Sequence, residues 1–115
     1  MTVVKNIENA SESIRSAIHG SYNDDMRISD LYAAISLVSE LTRRESELLP
    51  MIERILRKQS SEKSLRVDRD STDSADELIS KACAELQTAA AQLLNASECV
   101  GNASEHISHI GEHVN

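Results

Sequence analysis

From Ala75 to Val114 the chain holds a heptad repeat without a slip. Ala75, Ile79, Ala82, Leu86, Ala89, Leu93, Ala96, Val100, Ala103, Ile107, Ile110 and Val114 follow one another at alternating steps of four and three. A repeat of 3.5 residues is the pattern of a helix that winds against another helix. Ile79, Leu86, Leu93, Val100, Ile107 and Val114 occupy a positions, and the d positions are Ala until Ile110. Ser74-Ala75-Asp76-Glu77 supplies a capping box with two acids in the first turn. The pattern predicts one helix over 74–114, kept in phase across Gly101, which falls on the outer b position.

Beside that seam runs a thin row, Cys83, Ala90, Ser97, Ser104 and Gly111, at the e positions. Small side chains let a second backbone come close, as in a tightly packed antiparallel pair. A short repeat reinforces the seam. Asn-Ala-Ser-Glu occurs at 9–12, 95–98 and 102–105, each copy followed by any residue and then Ile14, Val100 or Ile107. Two readings account for it: similar heptads converging on similar residues, or equivalent packing elements at the two ends of the chain.

Upstream, Val3, Ile7, Ala10, Ile14 and Ala17 form one helical stripe, predicting a helix over 2–19 that Gly20 ends in a left-handed conformation. A second helix is predicted over 29–58. Its seam reads Leu31, Ala34, Val38, Leu41, Glu45, Leu48, Ile52 and Ile55, widened by Ile35, Leu49 and Leu56. Pro50 lies off that seam, so a kink there need not interrupt it. Residues 59–73 are polar, Ser-rich and without helical period, as expected of a flexible linker. These elements define an all-α class: a single-domain bundle of three main helices with a long coiled-coil-like last helix. The expected core is Ile7, Ile14, Leu31, Val38, Leu41, Leu48, Ile52, Ile55, Ile79, Leu86, Leu93 and Val100.

Composition agrees with that class. There are 115 residues with no Trp or Phe, one Pro and three Gly, too few turn formers for a sandwich or barrel. No stretch approaches the roughly 18 apolar residues of a membrane span. The first residues lack the apolar core of a secretory signal, and Cys83 and Cys99 are too few for a disulfide scaffold. A cytoplasmic protein with free thiols is the expectation. Without secretion, the acceptor patterns at Asn9, Asn95 and Asn102 carry no glycosylation.

Net charge is −7 and unevenly spread. Residues 1–42 carry −3, residues 43–69 carry +3 and residues 70–115 carry −7. The acidic balance argues against nucleic acid as a partner, although a nucleic-acid-associated dimer using the basic middle is one alternative. Arg43, Arg44, Arg54, Arg57 and Lys58, with Glu45 in the seam, are candidate residues for contact with another protein. A solvated face of little energetic weight is the other reading of these charges. Glu45 either sets register or is simply exposed.

His106, His109 and His113 share about 60° of helix face at ~100° per residue. They can supply metal ligands, or merely complement the negative end of the helix dipole. The sequence holds no HExxH pattern, phosphate loop or nucleophile–base arrangement. The function expected is therefore a non-enzymatic interaction module, a small regulator, adaptor or inhibitor, with no cofactor. A metal-sensing bundle is an alternative.

Length adds an expectation about assembly. A 74–114 helix would be ~60 Å long and a 29–58 helix only ~45 Å. The uncovered end of the Ala/Ile seam then calls for a second subunit. A homodimer is expected, with Ile79, Ala82, Leu86, Ala89, Leu93, Ala96, Val100, Ala103 and Ile107 as its seam.

Overall fold

The computed structural model describes residues 2–21, 25–62, 65–68 and 72–111, Ser21 by its backbone only. Three helices follow in order: α1 over Thr2–Ser21, α2 over Ile28–Glu62 and α3 over Ala75–Ile107. Among the described residues there is no strand. The all-α architecture read from the heptads is the architecture of the molecule.

Each boundary has a local cause. Ser74 is extended and its Oγ accepts from the Glu77 N–H at 3.2 Å, which starts α3 at the capping box. α2 begins where the Arg27 carbonyl accepts from the Leu31 N–H, with Asp30 in the first turn. It then runs unbroken through Pro50, which is exposed. Proline denies the Ser46 carbonyl its usual amide donor four residues on, and the chain tolerates this in a long helix held by tertiary contacts.

Three predicted boundaries are corrected. α1 passes through Gly20, which is helical, and no described glycine has positive φ. α2 continues to Glu62, so the first four residues of the predicted linker are helical. Residues 63–64 and 69–71 of that linker lie outside the described residues. α3 stops at Ile107 although the heptads continue, and Ser108 caps it with its Oγ donating to the Glu105 carbonyl at 2.6 Å. The first turn of α2 still lies alongside there, Ile28 and Tyr32 lining the same shallow end as Ile107 and Ile110. Positions 112–114 of the predicted helix lie outside the described residues.

α2 and α3 form an antiparallel hairpin. The direction is fixed by paired contacts: Ser36 with Ser104, Ser39 with Ser97, Glu53 with Gln87 and Ser60 with Asp76. With 35 and 33 residues, the two helices are each about 50 Å long and match end to end. The overhang that the length argument relied on does not exist. Among the described residues α1 packs against neither helix, and every one of its described side chains is exposed.

The packed seam is narrower than the heptads suggested. On α3 it consists of the a row and the thin e row, with Cys83 at 0%, Ser97 at 6% and Ser104 at 7% exposure. On α2 the facing row is Ile35, Ser39, Thr42, Ser46, Leu49, Glu53, Leu56 and Ser60, all buried or half-buried. Six residues expected in the core are exposed instead: Ile7, Ile14, Leu31, Val38, Leu41 and Ile55. The other six, Leu48, Ile52, Ile79, Leu86, Leu93 and Val100, are half-buried. Small serines win the contact because they allow the backbones to approach until side-chain hydroxyls reach the opposite main chain.

That approach is visible at the centre of α3. Ser39 Oγ donates to the Ser97 carbonyl at 2.8 Å, and Ser97 Oγ donates to the Ser39 carbonyl at 2.7 Å. One turn back along α2 and two turns on along α3, the Ser36 and Ser104 hydroxyls share a hydrogen bond of 2.5 Å. A Cβ on Gly101 would sit 3.3 Å from Ser39 Oγ, a tight contact that the hydroxyl would have to relieve by a few tenths of an ångström. Both seam serines of α3 come from the Asn-Ala-Ser-Glu copies at 95–98 and 102–105, so in α3 the repeat is a contact element.

Candidate interaction surface

A helix seen from its contact seam has two flanks, and here the flanks differ chemically. On α2 the stripe Leu31, Val38, Leu41, Leu48, Ile52 and Ile55 lies roughly 100° around the helix from the seam facing α3. On α3 the d row Ala82, Ala89, Ala96 and Ala103 lies roughly 90° from its own seam, in the same rotational sense. Because the helices are antiparallel, an equal sense of rotation puts both rows on one side of the hairpin. The result is a long apolar side with a shallow floor of alanine methyls and a wall of branched side chains.

Exposure bears this out. Leu31, Val38, Leu41 and Ile55 are open to solvent, and so are Ala82, Ala96 and Ala103. Leu48, Ile52 and Ala89 are half-buried. Ile79, Leu86, Leu93, Val100 and Ile107 of the predicted dimer seam are half-buried against α2. The heptad thus divides: its a row serves the intramolecular pair and its d row is left open. Glu45 stands exposed within the stripe, between Leu41 and Leu48.

The opposite side is polar. Arg43 and Arg54 rotate about 90° the other way from the seam, beside Glu40 and Glu47. Arg44 pairs with Glu40 at 2.6 Å and Arg57 with Glu53 at 3.1 Å, each within one turn of α2. Among the described residues no ion pair joins α2 to α3, so the charge contrast between the middle and the last third does not hold the hairpin together. Lys58, like the five other candidate contact residues of α2, is exposed.

Three carboxylates are held below their ordinary range. For Glu40 the cause is the hydrogen bond and charge of Arg44. For Asp73 it is the Lys81 ammonium, which bonds it at 2.5 Å across the start of α3. Glu53 differs, because its first stabiliser is the Gln87 amide of the other helix at 2.6 Å, ahead of Arg57. Its side chain is 13% exposed, the most enclosed carboxylate of the ion pairs described.

Two of the three histidines of the predicted face lie among the described residues. His106 is in the last turn of α3, and His109 lies beyond its end, paired with exposed Glu105 at 3.7 Å. His113 lies outside the described residues. No three His, Cys, Asp or Glu side chains among the described residues are grouped to hold a metal ion. Cys83 is enclosed in the seam and Cys99 exposed, both as free thiols. No described helix is long and apolar enough to cross a membrane.

The serine ladder is the feature that residue-type reasoning undervalued. Its signal was the e row itself, where small residues recur every seven positions beside the a row. Comparison with family models, curated proteins and solved structures finds no match to this chain. The fold and its surfaces define the molecule as a two-helix hairpin carrying a separate amphipathic helix.

Proposed function

We propose that this protein is a non-enzymatic interaction module, a small regulator, adaptor or inhibitor that works through its helical surfaces and assembles with a copy of itself. One observation carries the reading. The chain exposes 9355 Å², whereas a compact monomer of 12.7 kDa exposes ~6,200 Å². Its radius of gyration, 19.6 Å, likewise exceeds the ~13 Å of a compact chain this long. Among the exposed residues are Leu31, Val38, Leu41 and Ile55 on the apolar side of the hairpin and Val3, Val4, Ile7 and Ile14 on α1. Apolar side chains left in water in such stripes mark an interaction site.

The test uses the full chain as bait beside a Val38→Asp/Leu41→Asp variant. Both substituted residues are exposed, so the hairpin seam is left intact. The expected result is a macromolecular partner retained by the unmodified chain and lost by the variant. Equal retention, or none by either, overturns the reading.

A further inference from the structure

We infer that α1 is a strap that closes over its own hairpin. Lying antiparallel to α2 along the apolar side, it covers that surface and has to be displaced before a partner binds there. This rests on the reading of that side as an interaction surface and adds its regulation.

The structure holds α1 in an open position. It packs against neither α2 nor α3, and its apolar residues Val3, Val4, Ile7, Ile14 and Ile18 are exposed. A helix of 20 residues is marginal in water unless tertiary packing covers such a face. Its ion pairs, Lys5 with Glu8 and Glu12 with Arg15, are exposed and add little. The face runs ~22 Å from Val3 to Ile18, and the stripe of α2 runs ~26 Å from Leu31 to Leu48.

That face gains the same contacts on its own hairpin as on a second copy's, so buried area does not choose between them. The connection does. Six residues, 22–27, separate Ser21 from Ile28. Extended, such a segment spans ~20 Å, about twice the distance between packed helix axes. Connections of about two to eight residues are the ones that join antiparallel neighbours in helical bundles. Tethered this closely, α1 meets its own groove at an effective concentration on the order of millimolar, and a second copy competes only at a comparable protein concentration.

Two features of the hairpin match that register. Laid back from Ile28, the 20 residues of α1 end beside about position 47 of α2. Leu31, Val38 and Leu41 lie within that reach, as do Ala96 and Ala103 of α3, whose neighbours Ser97 and Ser104 face Ser39 and Ser36. All five are exposed, and of the exposed stripe of α2 only Ile55 lies beyond. The second feature is Glu45, a carboxylate exposed inside the apolar stripe. The register brings the first turn of α1 beside it. That turn has no acid of its own, and the unpaired N–H groups of a helix N-terminus favour an anion.

The experiment is a distance measured by pulsed electron resonance between spin labels on the full chain. One label sits on Cys99, the exposed native thiol, and the other on Glu8→Cys in α1; Cys83, at 0% exposure, stays unlabelled. The expected result is a component within ~25 Å that persists in a large excess of unlabelled chain. Ile7→Glu/Ile14→Glu should abolish it; glutamate favours helix at least as well as isoleucine, and α1 touches neither α2 nor α3 in the open position. Glu45→Lys should reduce it about threefold. Fluorescence of the apolar dye anilinonaphthalene sulfonate should rise in the Ile7→Glu/Ile14→Glu chain as the groove is uncovered. Absence of the short component, its loss on dilution with unlabelled chain, its persistence unchanged in either variant, or no rise in dye fluorescence overturns the closure. Retention of a partner, compared between the unmodified chain and Val38→Asp/Leu41→Asp, decides separately whether the apolar side is an interaction surface.

Discussion

The two serine pairs of the hairpin differ in wiring and must therefore differ in thermodynamics. Between Ser39 and Ser97 each hydroxyl donates to the other residue's main-chain carbonyl. Replacing either serine by alanine removes the bond it donates and the long 3.5 Å contact between the two hydroxyls, and leaves the other serine's bond in place, because the carbonyl remains. Each single change should cost about 1 kcal/mol, reduced by a few tenths because alanine is the better helix former. The double change should cost close to the sum, with a coupling energy below about 0.5 kcal/mol. Between Ser36 and Ser104 the hydroxyls bond one another. Either single alanine there strands a hydroxyl in a seam where Ser104 is 7% exposed, at a cost of about 1–2 kcal/mol. Removing both leaves nothing stranded, so the double variant should return to within about 0.5 kcal/mol of the unmodified chain. A coupling energy of about 2–4 kcal/mol in magnitude follows for this pair, the double change minus the sum of the two singles. Both cycles are measured by urea unfolding at one fixed protein concentration, because any self-association would make stability concentration-dependent. Additivity at 36/104, or strong coupling at 39/97, would refute the view that the wiring of these hydroxyls sets the energetics of the seam.

Gly101→Ala gains about 1 kcal/mol of helix propensity but presses Ser39 Oγ from 3.3 Å, so it should be close to neutral. In a Ser39→Ala background the same change should stabilise by the full propensity difference, a contrast that thermal unfolding reads directly. Ser74→Ala removes the acceptor of the Glu77 N–H and should cost about 1 kcal/mol, with exchange of the first-turn amides of α3 accelerated. Glu53 has a depressed pKa in the fold, so its contribution is complete above the ordinary carboxylate value of about 4.3 and is lost as pH falls through the lower folded value. Glu53→Gln should accordingly lower Tm at neutral pH and meet the unmodified chain in acid; a difference that persists unchanged in strong acid would exclude the carboxylate as its source.

Much of the architecture was legible in the sequence. A 3.5-residue apolar period leaves a chain few alternatives to a helix, and a capping box at Ser74 marks where that helix starts, so existence and type of each element followed from local physics. The thin e row even indicated a close antiparallel partner. Helix ends were less legible. The heptads continue past Ile107, and their pattern carries no sign of the stop that Ser108 makes by donating its hydroxyl to the Glu105 carbonyl. Gly20 likewise stayed helical, because glycine permits a left-handed turn without requiring one.

Which apolar residues became core could not be read from the sequence. Periodicity says which side chains share a face of one helix; it does not say which face meets which neighbour. Two adjacent rows on α2 competed for α3. The greasier row, Leu31 to Ile55, lost to the row of Ser39, Thr42 and Ser46, because only small side chains let two backbones approach until hydroxyls bond across the gap. The linear chain thus determined three amphipathic helices and their small-residue seam. The tertiary structure alone decided that this seam closes on serines, leaving most of the branched stripe and the described side chains of α1 facing water, since close approach is a property of two surfaces and not of either sequence.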